Sequence, residues 1–419
     1  MSDANTTPTT LQAPRKLTVW NKTFVCVLLA HSFLSLSQGA VNILIARYAL
    51  ESLKVSDVMM GNLIGLYFGV AFAMRPVTGP LQIRLNKRNL LIAVYFTGGV
   101  VNLGYALFTN TSAFIAFRVI QGIQYAFMGS LTMTIAVDSL PAEKVASGVA
   151  MYSLGGTVMQ AIAPNVGLWL RDLGPLLKEG AEGITLGYQL AFYFGAIVLA
   201  VAVVPLLLIS YKKDTKEEIA AAGAWYKNIV SLKALPMTLL IILSGIATSG
   251  YRSYIDAFAY EVGIPSIGLF STVSAAVMLG TRPLCGRILD KYSMKLVQPI
   301  GMALLGISLV IIAGSRTLFV ILIGAVISSI GNGVVSPGLQ AMCVQTEPAK
   351  RRAVATNTLF AGVDLGMYVG PALGGFVVSR YSFSTTILSG LVPLALTLIC
   401  FYIIYPGFMR RKKAVESMQ

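Results

Sequence analysis

The chain contains the hexapeptide RPVTGP at residues 75–80 and a second version of it, RPLCGR, at residues 282–287. The two copies share arginine, proline and glycine at an offset of 207 positions. Other residues repeat at the same offset: Gly61 with Gly268, Pro141 with Pro348, Ala142 with Ala349, Gly155 with Gly362, Pro164 with Pro371, and Gly167 with Gly374. Clustered glycine and proline matches of this kind indicate that a structural unit has been duplicated.

The composition indicates that these units lie in lipid. Of 419 residues, 56% are hydrophobic and 12% are charged, which is too little charge for the exterior of a soluble chain of this length. Apolar runs of roughly 20 residues can cross a bilayer as helices. We therefore predict an all-α integral membrane protein with about 12 transmembrane helices in two six-helix bundles. The predicted spans are 20–46, 57–79, 89–108, 111–135, 145–170, 187–211, 236–258, 266–286, 296–314, 317–343, 353–378 and 383–406.

The net charge of +15 reflects membrane topology rather than a nucleic-acid surface. With both termini placed inside, the inner segments hold 21 of the 32 lysines and arginines, whereas the outer segments hold 6. This asymmetry predicts cytoplasmic N- and C-termini. No segment interleaves basic and aromatic residues as a nucleic-acid-binding surface does, so we expect membrane lipid rather than nucleic acid as a partner.

A charged stretch, YKKDTKEEIAAAGAWYKNIVSLK at residues 211–233, separates the two repeats. Its composition suits a surface helix or an inner linker between two bundles. The predicted division is a cytoplasmic segment 1–19, an N-terminal bundle 20–211, a cytoplasmic linker 212–235, a C-terminal bundle 236–406 and a cytoplasmic tail 407–419.

The sequence lacks the residue patterns that identify enzyme active sites and metal sites. The four cysteines, Cys26, Cys285, Cys343 and Cys400, have no metal-ligand spacing, and His31 is the single histidine. The chain has no Gly-rich loop ending in Gly-Lys-Ser/Thr. We expect no cofactor, no metal, no enzymatic activity and no obligatory protein partner. Because no ATP-binding loop is encoded, the energy for any transport is expected from an ion gradient, a substrate gradient or a partner.

Several motifs resemble those of the major facilitator superfamily over essentially the full chain. GPLQIRLNKR at 79–88 and GRILDKYSMK at 286–295 resemble the loop signature between helices two and three of that family, and RVIQG at 118–122 resembles its fourth-helix motif. LGGTVMQAIAPNVG at 154–167 and LFAGVDLGMYVGPALGG at 359–375 resemble its glycine-proline motif and the counterpart of that motif. The resemblance implies alternating access between two rocking bundles, and it points to the drug and metabolite efflux branch.

The resemblance also implies roles for individual residues. The loop signature has Ile83 where the family carries an acid, whereas Asp290 keeps it, so we expect Arg75, Arg282 and Asp290 to act in an inner gate. The alternative for the two arginines is a positive charge at a helix end. In the resembled exporters the arginine that matches Arg118 is implicated in proton coupling. The small and proline residues expected to let helices pack closely and bend are Pro164, Gly167, Gly370, Pro371 and Gly374.

Polar residues recur on single faces of four predicted spans. Helical spacing aligns His31, Ser35, Gln38 and Asn42; Arg118, Gln121 and Tyr125; Ser329, Asn332, Ser336 and Gln340; and Asn357, Asp364 and Tyr368. Such faces avoid lipid and line a cavity or bind a neighbouring helix. From them we predict a substrate cavity that includes Gln38, Asn42, Gln121, Tyr125, Asn332, Gln340 and Tyr368. Hydrogen bonds between helices are the alternative for each face.

Three ionisable residues in the spans are candidates for proton coupling. Asp364 lies near the middle of its span, where desolvation lets a carboxyl take up and release a proton. Arg118 can hold a buried acid or contact an anionic substrate. His31 suits proton handling by its chemistry, and a core residue with satisfied hydrogen bonds is the alternative.

In the run GYRSYIDAFAYE at 250–261, Arg252 and Asp256 stand four residues apart, which predicts an outer gate or an interfacial ion pair.

Together these patterns predict a secondary transporter that exchanges protons for a small organic molecule, drug or metabolite, and exports it. Arg118 and His31 oppose only Asp364, which favours an amphipathic organic anion over a lipophilic cation. A proton-coupled importer of an organic anion or carboxylate uses the same architecture and is the alternative, and a non-transporting membrane sensor is a remote one. The short loops suit a multi-pass protein of a prokaryotic cytoplasmic membrane.

Overall fold

The computed structural model of the chain describes residues 20–140, 145–209, 229–264, 267–347 and 352–416, so the predicted N-terminal segment and most of the predicted linker lie outside it. The described residues form helices and no strands. The first half contains α1 (Lys22–Asn42), α2 (Ile45–Glu51), α3 (Asp57–Arg84), α4 (Lys87–Leu107), α5 (Thr111–Asp138), α6 (Val145–Leu177) and α7 (Gly180–Leu207). The second half contains α8 (Leu235–Glu261), α9 (Gly268–Lys291), α10 (Met294–Gly314), α11 (Leu318–Val344), α12 (Arg352–Val378), α13 (Phe383–Ser389) and α14 (Leu391–Glu416).

These helices form twelve membrane-crossing units, because two of the spans are broken. The turn at Ile43 and Leu44 separates α1 from α2, and Gly390 separates α13 from α14. Within the described residues, eight of the units are long and apolar enough to cross a membrane by composition alone. Two that fall outside that group, α5 and α8, carry Arg118 and Arg252. The predicted all-α fold with about twelve spans is confirmed.

The duplication inferred from RPVTGP is visible in the helix boundaries. Helix α4 begins at Lys87 and α10 begins at Met294, 207 residues later. The same two helices end at Leu107 and Gly314, again 207 residues apart. The boundaries of these two helices therefore follow the 207-residue repeat.

Side chains at the helix starts explain several of these boundaries. The amide oxygen of Asn86 accepts hydrogen bonds from the backbone N–H groups of Arg88 and Asn89, and Asn110 caps α5 in the same way through Ala113. These caps satisfy donors that lack a partner in the first turn of a helix. They allow the short connections that bring α3, α4 and α5 side by side.

Two boundaries differ from the predicted ones. Helix α6 continues to Leu177 and α7 begins at Gly180, although the sequence between 171 and 186 was predicted to be an outer loop. The backbones of α6 and α7 pack tightly there, because Gly174 lies against Gly187 and leaves no room for a side chain. Helix α14 likewise continues to Glu416, past the predicted start of the tail at residue 407.

Buried side chains show how the two bundles meet. We call the end of the molecule where α1 begins and α14 ends the inner end, because lysine and arginine concentrate there. At the outer end, one buried cluster joins both bundles, with Tyr48 and Phe114 from the first half and Tyr254 and Phe258 from the second. At the inner end, each bundle has its own cluster. The bundles are therefore closed against each other at the outer end.

Helices α3 and α12 pack along their length and form the main contact between bundles. A Cβ atom on Gly61 would lie 2.5 Å from the carbonyl oxygen of Pro371, and one on Gly65 would lie 2.6 Å from that of Tyr368. The predicted packing residues lie at similar contacts: Pro164 beside Gly39, Gly167 against Ala40, Gly370 against Ser249, Pro371 as acceptor of the Tyr254 hydroxyl, and Gly374 against the Tyr254 ring.

Candidate transport site

A cavity of about 410 Å³ lies between the bundles. Helices α1, α5, α8 and α11 all contribute to its wall, together with α3, α6 and α12. It extends from Arg118 and Ser253, in the outer halves of their helices, to Gln340 near the inner end of α11. The volume suits a small organic molecule. Since the outer end is closed, the cavity faces the inner side.

The asparagine and glutamine residues predicted to line the cavity divide into two groups. Asn42, Asn332 and Gln340 line the cavity, where the Gln340 amide donates to the Ser336 hydroxyl at 3.0 Å. Gln38 and Gln121 lie instead around a small internal space of about 10 Å³ within the N-terminal bundle. They contribute to the polar contacts inside that bundle, which was the alternative interpretation of their face.

Helix α8 supplies a polar stripe that the sequence analysis did not include. Ser244, Thr248, Ser249 and Ser253 line the cavity on the C-terminal side. Their spacing at four or five residues places them on one helical face, so the signal was present in the sequence. The hydroxyls of Thr248 and Ser249 bond to backbone carbonyls of Ser244 and of Gly366.

Arg118 lies on the cavity wall and is 1% exposed. Its Nη1 donates to the amide oxygen of Gln121 at 2.6 Å, and its guanidinium carbon lies 5.2 Å from the ring centre of Tyr67. Within the part of the chain that the structure describes, its Nε has no hydrogen-bond partner. Among the described residues, Arg118 forms no ion pair. The site thus contains a desolvated cation with an unused donor.

Arg252 also faces the cavity, and this corrects the pairing expected from its spacing. Its side chain is exposed although it lies between the bundles, because the cavity surrounds it. Its Nε donates to the Tyr251 hydroxyl at 3.2 Å, and it forms no ion pair among the residues described. The expected partner, Asp256, points instead to the contact with the N-terminal bundle.

Asp256 belongs to an outer cluster that joins the bundles. Its Oδ2 lies 3.6 Å from a nitrogen of Arg171 on α6 and 3.9 Å from Nε of Arg47 on α2. Arg47 also binds Glu51 at 2.7 Å and stacks its guanidinium 3.9 Å from the ring centre of Tyr260. Since Asp256 is on α8, these ion pairs hold the outer ends of the two bundles together. Arg47 and Arg171 are two of the six basic residues that the sequence analysis counted in the outer segments, where no ion pair was predicted for them.

Arg75 and Asp364 form an ion pair between α3 and α12. Nε of Arg75 lies 2.6 Å from Oδ2 of Asp364, and the side chains are 10% and 2% exposed. The pair joins a predicted gate residue to a predicted proton-coupling residue across the two bundles. Tyr125 lies close by, where its ring contacts Tyr67 and Phe68 edge-on. Tyr368 packs its ring against Gly69 of α3, so it belongs to the bundle interface.

His31 lies between α1 and α6. Its ring stacks on Tyr152 with centroids 4.0 Å apart, and Nδ1 lies 3.0 Å from the Tyr152 hydroxyl. It is not among the residues that line the cavity. This placement supports the interpretation as a packed residue with a satisfied hydrogen bond, and no contact links it to Asp364.

The side chains of two expected gate residues lie outside the described part of the structure. Helix α9 is described through Lys291, but the side chains of Arg282 and Asp290 are not among the described ones. Their proposed gate role stays a prediction. Among the described residues there is no cluster of three histidine, cysteine, aspartate or glutamate side chains that could hold a metal ion.

A buried carboxylate at the inner end was missed by the sequence analysis. Glu347 is 2% exposed and accepts a hydrogen bond from the Ser231 hydroxyl at 2.8 Å. The Ser231 N–H donates to the Thr358 hydroxyl at 2.8 Å. These contacts attach the chain just before α8 to the ends of α11 and α12.

Taken together, this geometry can bind a small molecule between two bundles and change its access. The cavity offers two arginines and several amide and hydroxyl groups, and ion pairs cross between the bundles at two levels. Because each ion pair has one partner in each bundle, movement of the bundles changes both.

The sequence profile of the Major Facilitator Superfamily matches residues 27–294 and 237–417. The chain is 22% identical over 340 residues to a staphylopine export protein of Staphylococcus aureus, covering 78% of this chain and 82% of that protein. It is 25% identical over 174 residues to a 4-hydroxybenzoate transporter of Acinetobacter baylyi, which is 41% of this chain and 38% of that protein.

Solved structures share the fold. A bacterial homologue of the human lysosomal transporter Spinster, in an inward-facing and occupied conformation, superposes with a TM-score of 0.73. The identity is 14%, and the match covers 93% of this chain and 96% of that one.

Proposed function

The chain belongs to the major facilitator superfamily, and from this membership we propose that it is a proton-coupled exporter of a small organic molecule. It is a multi-pass membrane transporter and not an enzyme. The finer proposal is that protons enter as the substrate leaves, by alternating access to the central cavity. We place it in a prokaryotic cytoplasmic membrane, where a proton gradient is available.

The ion pair of Arg75 with Asp364 carries this proposal. The carboxylate of Asp364 accepts a short hydrogen bond from the guanidinium of Arg75 in a nearly buried site, so the negative charge of Asp364 is compensated by Arg75. A proton that binds Asp364 removes that charge and weakens the pair. Because the partners belong to different bundles, protonation changes the relative stability of the two conformations. Proton binding and bundle movement are thereby linked.

The proposed cycle starts from the conformation described above. The substrate enters the cavity from the inner side while Asp364 is paired with Arg75. The bundles then rock, the pairs of Asp256 with Arg47 and Arg171 separate, and the cavity opens outward. An outside proton binds Asp364, the substrate leaves, and return of the bundles to the inner-facing conformation releases the proton inside.

Two observations favour export. The glycine-proline motif on α6 resembles that of exporters, and the first relative named above is an export protein. The runner-up is import of an organic anion with protons, because part of the chain is similar to a 4-hydroxybenzoate transporter. The same cavity and ion pair serve both directions.

The test uses purified protein in vesicles that contain a pH-sensitive dye. Lipophilic cations, organic anions, sugars and amino acids are added one at a time. We expect one chemical class to trigger proton movement in the wild type and in Glu182→Gln, since Glu182 is exposed at the outer end. We expect no proton movement in Asp364→Asn. Substrate movement without proton movement, under an imposed pH gradient, would refute the coupling and leave a uniporter or another ion.

A further inference from the structure

The closed end of the cavity carries two arginines from opposite bundles. Arg118 is on α5 and Arg252 is on α8, and both line the cavity wall. Neither forms an ion pair among the described residues. The cavity therefore presents two positive charges at the end that a molecule entering from the inner side would reach last.

Arg118 lacks the compensation that buried cations usually have. It is 1% exposed, and its Nε has no hydrogen-bond partner among the residues that the structure describes, while Gln121 and aromatic rings contact the rest of the guanidinium. Leaving a cation desolvated and unpaired within a membrane protein is unfavourable. An anionic group in the cavity would restore both the charge balance and the missing hydrogen bond.

The guanidinium of Arg252, unlike that of Arg118, is exposed to the cavity and accessible to a ligand. The Tyr251 hydroxyl accepts from its Nε, which leaves the terminal nitrogens of the guanidinium for a ligand. A planar guanidinium binds carboxylate or phosphate oxygens in pairs. The two arginines thus offer two separate anion contacts on facing walls of one cavity.

The rest of the wall limits what can occupy the cavity. None of the described residues that line the cavity is acidic, and the nearby carboxylate of Asp364 is already bound to Arg75. Ile64, Phe68 and Met367 add apolar surface between the polar groups. A cation or a neutral sugar would leave the arginines uncompensated, whereas an organic anion with an apolar frame matches both features.

We propose that the transported molecule carries two anionic groups on an apolar frame, one bound by Arg118 and the other by Arg252. This inference rests on the proposed function only in taking the cavity as the transport site. A molecule held at both ends would connect the N-terminal and C-terminal bundles directly. Its binding would favour conformations in which the bundles approach each other around it.

The test measures binding by calorimetry to the purified protein, without a proton gradient. The probes are three diacids of increasing length, succinate, terephthalate and naphthalene-2,6-dicarboxylate, each with its monomethyl ester as a matched monoanion. We expect at least one diacid to bind about tenfold or more tightly than its monoester. In Arg252→Gln and in Arg118→Gln we expect this preference to disappear, whereas Arg380→Gln, an exposed arginine at the outer end of α12, should keep it.

Arg252→Gln decides the outcome if Arg118→Gln does not fold, because Arg252 is exposed to the cavity. Equal binding of every diacid and its ester, or no binding of any of them, would overturn the inference, as would a diacid preference that survives in Arg252→Gln. A failure of the proposed function would give a different experimental result. Selective diacid binding with no proton movement during transport would refute proton coupling and leave the two-anion site intact.

Discussion

Arg75 of the N-terminal bundle and Asp364 of the C-terminal bundle form a direct ion pair, with Nε 2.6 Å from Oδ2, at the packed interface of α3 and α12. The two residues are 289 positions apart in the sequence. Each is nearly buried, so loss of either charge leaves the other without compensation. The pair is therefore a structural bond between the bundles, and under the proposed function it is the site at which a proton acts.

The first prediction concerns the energy of this pair. Arg75→Gln and Asp364→Asn should each lower the melting temperature of the purified protein, because each leaves one buried charge unpaired. The double variant should be more stable than the sum of the single effects predicts, with an interaction energy of about 1–3 kcal/mol. Arg380→Gln serves as the control for loss of an arginine. Additive single effects would show that the two side chains do not interact.

The second prediction concerns the outer ion pairs. Asp256→Asn should favour the outward-open conformation, since Asp256 contacts Arg47 and Arg171 of the other bundle. The measurement is the labelling rate of Leu168→Cys, a buried outer position, by a membrane-impermeant maleimide. We expect the rate to increase several-fold. Asp172→Asn is the matched control, because Asp172 pairs with Arg171 within one bundle. An equal increase in both variants would contradict a bundle-joining role.

The third prediction concerns the close approach of α3 and α12. Gly65→Ala should destabilise the protein by about 1–3 kcal/mol, because a Cβ there meets the backbone oxygen of Tyr368, which cannot move aside. Gly129→Ala is the control, since no atom of the described residues lies within 4 Å of a Cβ at that position. That substitution should be neutral or stabilising by up to about 1 kcal/mol. Thermal unfolding in detergent distinguishes them, and similar effects at both sites would contradict the packing.

The fourth prediction separates packing from proton handling at His31. His31→Phe keeps a ring that can stack on Tyr152 but removes every titratable nitrogen. We expect this variant to retain substrate-dependent proton movement in vesicles, with a modest loss of stability from the missing hydrogen bond of about 0.5–1.5 kcal/mol. Loss of proton movement in a variant that remains folded would show that His31 takes part in proton transfer.

Much of the fold follows from local patterns in the sequence. Apolar runs of membrane-spanning length mark the spans, and the repeat at 207 positions anticipates the equal spacing of α4 and α10. Helical periodicity also places Asn42, Asn332 and Gln340 on faces that line the cavity. These features depend on residues within one helix or on the order of helices, so a single chain reveals them.

Contacts between the bundles could not be predicted from local sequence patterns. Periodicity shows which face of a helix carries Arg75 or Asp364, but it does not show which side chain of another helix meets that face. The same limit explains why Asp256 was assigned to Arg252, four residues away, when Arg47 and Arg171 lie closer in space. Local spacing favours a neighbour on the same helix, whereas tertiary packing decides between it and distant partners.

The most direct test of proton coupling by Asp364 is uphill transport driven by a pH gradient. It is measured in vesicles that contain the Asp364→Asn variant. The substrate is the one identified by proton movement in the wild type, and exchange of labelled for unlabelled substrate, without a gradient, is measured in parallel. We predict that Asp364→Asn loses gradient-driven accumulation but retains exchange, because the cavity is intact and the proton site is gone. Gradient-driven accumulation at the wild-type level in Asp364→Asn would contradict the claim that Asp364 couples protons to transport.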